Sequence, residues 1–295
     1  MHGNQVEPRT ASLLRRATYA SVSVATVLVG VKIAAWLLTG SLSVLASLVD
    51  SLMDVAASVV NLLAIRYSLK SADDDHKFGH GKAEYLAGLG QSLFIASSAV
   101  FLMVNGVQRL ANPRPLESVP SGVAVMIFAI FLTLLLLIYQ RYVVKKTGST
   151  AIKADSLHYA TDLFTNLGTI TALIIAGYGW PGFDPVFAIG LSLVIFYNAW
   201  KIGYESIHLL MDRQLPPETE ETITIIALRH KNVLGVHDIR TRQAGQVKLI
   251  QLHLEMADNL SLGTAHKAAK EVEAGIRNIF PDADIIIHQD PVNPG

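Results

Sequence analysis

Six apolar stretches separated by short charged or turn-forming segments occupy the chain up to about residue 210, and the pattern then changes. The stretches are Ala17–Leu38, Ser41–Tyr67, Glu84–Leu110, Ser121–Gln140, Thr150–Gly177 and Pro185–Leu210. Each reaches the ~20 residues that a helix needs to cross a bilayer. Ser121–Gln140 has no charged residue. Glu84–Leu110 carries Gly88, Ser92 and Ala96 at steps of four, a small-residue face suited to close helix packing. Thr39-Gly40-Ser41, Asn112-Pro113-Arg114-Pro115 and Gly177–Pro185 read as turns. Arg9, Arg15 and Arg16 precede the first stretch, which is too long for a signal peptide and reads as an uncleaved span.

Two of the stretches carry a polar stripe. In the second, Ser47, Asp50, Asp54, Ser58 and Asn61 recur at three and four, opposite Leu48, Leu52, Val55 and Val59. In the fifth, Asp155, His158, Asp162, Asn166 and Thr169 do the same. If the stripes face each other, Asp50, Asp54, His158 and Asp162 meet. No Lys or Arg is expected near the middle of a span to neutralise these acids, so a divalent cation fits them better than an ion pair. Four filled ligand positions leave none for water, which favours carrying the ion over hydrolysis. Ligation needs deprotonated groups, so protons should replace a departing metal, and His158 is the group most easily tuned near neutral pH.

Beyond Leu215-Pro216-Pro217 the periods change to those of a soluble α+β unit. Helices are predicted over Glu218–His230 and from a Ser261 cap to Phe280. Strands are predicted at Val236–Arg242, Val247–Met256 and Ala283–His288, with a turn at Ala244-Gly245-Gln246. The order αββαβ points to a ferredoxin-like fold. The expected organisation is a disordered N-terminus over 1–10, a six-helix transmembrane domain over 11–213 and a cytoplasmic metal-binding domain over 214–295.

Composition narrows the function. Apolar residues make up 51% and charged ones 16%, and the net charge is zero, so no basic field marks a nucleic-acid partner. Cysteine is absent, which excludes thiolate catalysis and leaves His and carboxylates as metal ligands. Arg15 and Arg16, Arg66 to Lys82, Arg141 to Lys153 and Arg213 fall on one side of the bilayer, placing both termini in the cytoplasm.

Two further clusters stand outside the spans. His76 and His80, with one of Asp73, Asp74 and Asp75, could hold a metal in the loop after the second span. In the soluble unit His253 shares a strand face with Gln251 and Glu255; His288 and Asp290 are two apart; His237 begins a strand and His266 a helix. Alternative readings are a membrane metal sensor, a metal channel without proton coupling, or an intramembrane metallohydrolase. Proton flux opposite to metal separates the antiporter from a channel, and the closed ligand set argues against hydrolysis.

With these residues in view, the chain resembles the cation diffusion facilitator family over nearly its whole length. The likeness rests on Leu48-Val49-Asp50-Ser51-Leu52-Met53-Asp54, Phe78-Gly79-His80-Gly81-Lys82-Ala83-Glu84, Ala154-Asp155-Ser156-Leu157-His158-Tyr159 with Asp162, His237-Asp238-Ile239-Arg240-Thr241-Arg242, and Ile287-His288-Gln289-Asp290-Pro291. The resemblance implies a homodimer of the bacterial inner membrane that is not an enzyme and exports Zn²⁺ in exchange for protons. It implies a transport site at Asp50, Asp54, His158 and Asp162 and a loop site at Asp73, His76 and His80. It further implies a binuclear cytoplasmic site at His237, His253, His266, His288 and Asp290, with Zn²⁺ as both substrate and structural or regulatory ligand. Lys82 and Asp212 match a charged pair that links protomers, and Leu157 matches an apolar gate. Asp50 stands where zinc-restricted relatives carry His, which leaves Cd²⁺ and Fe²⁺ open as further substrates.

Overall fold

The computed structural model describes residues 6–39, 42–112, 120–177 and 183–292. Six helices of 27 to 32 residues come first: α1 (Pro8–Thr39), α2 (Leu42–Ser68), α3 (Ala83–Ala111), α4 (Pro120–Thr147), α5 (Thr150–Gly177) and α6 (Phe183–Leu210). At ~1.5 Å per residue each exceeds the ~30 Å hydrocarbon thickness of a bilayer. Among the described residues Pro8–Leu38, Ala83–Ala111, Ile127–Thr147 and Pro185–Leu210 are apolar enough to cross by composition alone. The other two helices, α2 and α5, carry the acidic stripes. The N-terminal expectation needs correction: α1 begins at Pro8, inside the segment predicted to be disordered. Proline suits a first helical turn because its missing N–H has no intrahelical partner there. The residues of the three predicted turns at 40–41, 113–119 and 178–182 lie outside the described residues.

Contacts divide the chain into two compact units. One contains Arg9–Tyr67 and Ala83–Ile207; the other joins Ser68–Lys82 to the chain from His208 onward. In the first unit α5 is the hub. Its Tyr159 and Leu163 pack with Leu136 and Leu137 of α4 and with Ala20 and Val24 of α1. Its Leu157 packs on the cluster that Ile95 and Ala99 of α3 form with Ile195 and Ala199 of α6. The small-residue face of α3 is what lets these helices close. A Cβ on Gly88 would stand 2.9 Å from Thr150 Cγ2 and 3.1 Å from Ser206 Oγ. Buried Glu84 accepts the backbone N–H of Thr150 at 2.9 Å, so α3 caps the start of α5.

The second unit ends in α7 (Pro217–Leu228), β1 (Gly235–Ala244), β2 (Val247–Ala257), α8 (Leu262–Ile279) and β3 (Asp284–Val292), the predicted αββαβ order. Ser261 caps α8 by accepting the Thr264 N–H at 3.2 Å. The sheet order is β1-β2-β3, with β1 antiparallel and β3 parallel to β2. Ile250, Leu252, Leu254 and Met256 alternate along β2 toward a core completed by Ile223 and Ala227 of α7 and Val272 and Ile276 of α8. The opposite face of β2 carries Gln251, His253 and Glu255, and that alternation positions the candidate site of this unit.

Candidate metal centres

Among the described residues three groups bring His and carboxylate donors together: Asp54, His158 and Asp162; Asp73, His76 and His80; and His237, His253 and Asp290. Ligand atoms around a tetrahedral ion with bonds of ~2.0 Å are about 3.3 Å apart. The separations below fall near that value.

In the membrane unit, α2 and α5 are pinned by Ser58 Oγ, which donates to the Tyr159 hydroxyl at 2.8 Å while that hydroxyl donates to the Ser21 carbonyl of α1 at 3.2 Å. This contact lies one turn from Asp54 on α2 and one residue from His158 on α5. It sets His158 Nε2 3.0 Å from Asp54 Oδ1 and 3.8 Å from Asp162 Oδ2. The imidazole is buried and lies edge-on to Phe94, with ring centroids 6.0 Å apart. The three groups line a cavity of about 440 Å³. Asp50 is one helical turn before Asp54 on α2, and its side chain lies outside the described residues. Leu157, adjacent to His158, points into the α3–α6 packing.

Asp155 does not join this group, although it belongs to the same sequence stripe. It is fully buried and accepts from Ser21 Oγ of α1 at 2.6 Å, Gln140 Nε2 of α4 at 2.6 Å and Gln91 Nε2 of α3 at 3.2 Å. It ties four helices together one turn before His158.

One expectation fails here. A lysine does reach the cavity: Lys32 of α1 lines it beside Asp54 and His158 and donates to Ser51 Oγ at 2.6 Å. Lys32 lies near the end of α1, where a charge reads as interfacial, but its four-carbon stem carries the ammonium inward.

The loop group is built by local backbone bonds. Asp73 Oδ1 accepts the N–H groups of Asp75 at 3.2 Å and His76 at 2.8 Å, while Oδ2 takes Lys70 Nζ at 3.1 Å. The His76 N–H, then Lys70, hold the Asp73 carboxyl well below the usual carboxylate range. His80 Nε2 lies 3.2 Å from Oδ2, and the His76 and His80 rings are 4.6 Å apart. Gly79 adopts a φ of +80°, which favours glycine, and a Cβ on Gly81 would come 2.2 Å from the Ala244 carbonyl. The loop therefore rests backbone to backbone on the β1–β2 turn. Arg242 clamps the same contact, 5.2 Å over the Phe78 ring and 3.0 Å from Asp212. Lys82 Nζ lies 2.8 Å from Asp212 Oδ1 within the chain. Burial pushes the Asp212 carboxyl up, but Lys82 and Arg242 outweigh it and hold it below its ordinary value.

In the sheet of the second unit the strand register does the assembling. His237 pairs with His253 and His253 with His288, so three imidazoles form a row across β1, β2 and β3. Asp290, two residues past His288, lies 2.8 Å from His253, 3.2 Å from His237 and 3.0 Å from His288. The His253 hydrogen bond is the main reason its carboxyl lies below the usual range. His266 is exposed on α8 and is not part of this group. Glu255, on the same strand face and not among the expected donors, is 2.9 Å from His237 Nδ1.

The profile of the cation efflux transmembrane domain matches residues 18–211, and that of the cation efflux protein cytoplasmic domain matches 215–292. The chain thus belongs to the cation efflux family of membrane transporters. Among its relatives, the cation-efflux pumps FieF of Klebsiella pneumoniae (strain 342) and Cronobacter sakazakii (strain ATCC BAA-894) are each 50% identical over 279 residues, 95% of this chain and 93% of theirs. The FieF of Escherichia coli O1:K1 / APEC is 48% identical over the same length. A solved chain of CzrB aligns with 27% of this chain and 99% of its own at 31% identity, with a TM-score of 0.26.

Proposed function

We propose that this chain exports Zn²⁺ from the cytoplasm in exchange for protons, with Cd²⁺ and Fe²⁺ as further divalent substrates. The observation that carries the reading is the convergence of Asp54, His158 and Asp162 in one cavity between long apolar helices. Asp50, one turn from Asp54, completes the ligand set. Carboxylates in such a place need a compensating charge, and a dication or protons supply it in turn. His158 carries a proton when the metal has left and must give it up when metal binds. Leu157 gates the site. In this reading Asp73, His76 and His80 hold a metal in the loop. His237, His253, His288 and Asp290 hold cytoplasmic metal, and exposed His266 is the donor left to meet a second copy in a homodimer. The protein spans the bacterial inner membrane with both termini cytoplasmic.

Purified protein in sealed vesicles tests the reading. Zn²⁺ entering the lumen should drive protons outward, and an imposed pH gradient should change the Zn²⁺ rate. Zn²⁺ flux indifferent to that gradient would identify a channel instead.

The cytoplasmic site should be separable from transport chemistry. His253 is the middle imidazole of the row, so His253→Ala is expected to weaken cytoplasmic metal binding by at least about tenfold. Counting bound Zn²⁺ at equilibrium should show loss of cytoplasmic metal with the membrane site still loaded. Loss of both together would contradict the division of roles.

A further inference from the structure

The membrane cavity contains a charge that the ligand set does not use. Among the described residues that line it, Asp54 and Asp162 are the acids and Lys32 is the cation. The Lys32 ammonium is half-buried and aimed inward by Ser51, whose own side chain is 1% exposed. Ser51 follows Asp50 directly and precedes Asp54 by three residues, so the lysine is anchored within the acidic stripe of α2. An ammonium tied there cannot be a ligand, since it has no lone pair. It can set the charge that a ligand must meet.

We propose that Lys32 is a fixed counter-cation of the membrane metal site, a positioning residue that fits the site to one divalent ion and speeds its release. The proposal rests on the ligand set above. Asp50, Asp54 and Asp162 contribute three negative charges, a ligating imidazole is neutral, and Lys32 contributes one positive charge. With the dication bound, these charges sum to zero. Without Lys32 the bound state keeps a surplus negative charge that holds the cation back. The lysine thus trades affinity for turnover, as a pump that must let go of its cargo requires.

The test uses full-length protein with Zn²⁺ as the probe. Membrane-site binding is taken as the Zn²⁺ that Asp54→Ala removes at equilibrium. If Asp54→Ala removes none, the ligand assignment itself has failed. If it removes metal, Lys32→Met is the decisive variant, because it keeps most of the stem and deletes the charge. Its Kd and KM for Zn²⁺ should fall by at least about tenfold, since a unit charge acting on a dication at an effective dielectric constant of about 20 changes a binding constant by roughly that factor even across about 20 Å. Its kcat in vesicles should fall as well, and Lys32→Arg should restore wild-type values of all three. Unchanged or weaker Zn²⁺ binding in Lys32→Met would overturn the proposal, since loss of a merely structural contact loosens a site. So would a Lys32→Arg variant that behaves like Lys32→Met.

Discussion

Asp54→Ala is expected to reduce Zn²⁺ transport in sealed vesicles to the background of empty vesicles. Asp54 is the α2 donor that faces His158 at 3.0 Å. Truncating it leaves His158 facing Asp162 of its own helix across 3.8 Å, a separation that lies on one face of α5 and no longer bridges two helices. Loss of groups that merely support a ligand already costs about 10–100-fold in metal affinity, so loss of a ligand should cost more than about 100-fold. The cytoplasmic site belongs to the other compact unit, and its Zn²⁺ content should be unchanged. Vesicles of the variant that took up Zn²⁺ at the wild-type rate would show that the ion passes elsewhere.

The second large effect concerns stability rather than transport. Asp155→Ala removes the acceptor of three hydrogen bonds from α1, α3 and α4, and strands Ser21, Gln91 and Gln140 around it. Hydrogen bonds between membrane helices contribute about 0.6 to 1.7 kcal/mol each, because helices separated in the bilayer find other partners. Three of them on one carboxylate give a loss of about 2 to 5 kcal/mol. Thermal unfolding in detergent should show the helical unit melting earlier, with the cytoplasmic αββαβ unit unaffected. Asp155→Asn, which keeps one carbonyl acceptor, should recover part of the difference. A variant that melts with the wild type would mean that the cluster contributes little to packing.

What the sequence reveals and what it hides follow one physical line. Periodicity assigns faces, so the stripes of α2 and α5, the alternation of β2 and the Ser261 cap are all legible in the chain itself. Periodicity does not assign neighbours. Asp155 shares a stripe with His158 and Asp162, yet it turns to partners on three other helices at positions with no common spacing. Lys32 sits near the end of α1, and only packing shows that its ammonium points at α2. Glu255 was visible beside His253 but is tied to the site by its distance from His237 across the sheet, which depends on register. The contact of Gly81 with the β1–β2 turn joins residues more than 160 apart in sequence and left no local mark other than the glycines themselves.

The row of histidines owes its place to an irregularity in β1. The register slips between His237 and Arg240, and Asp238 takes a φ of +48° there. Before the slip, odd-numbered positions of β1 oppose the odd-numbered side of β2; after it, even-numbered ones do, with Arg240 opposite Gln251 and Arg242 opposite Leu249. The extra residue therefore works as a phase shifter. It lets an odd-numbered imidazole at one end of the strand and an even-numbered guanidinium at the other emerge from the same side of the sheet, while Thr241 turns into the interior. A chain shortened by one residue at that point would have to choose between its row of imidazoles and its grip on Asp212.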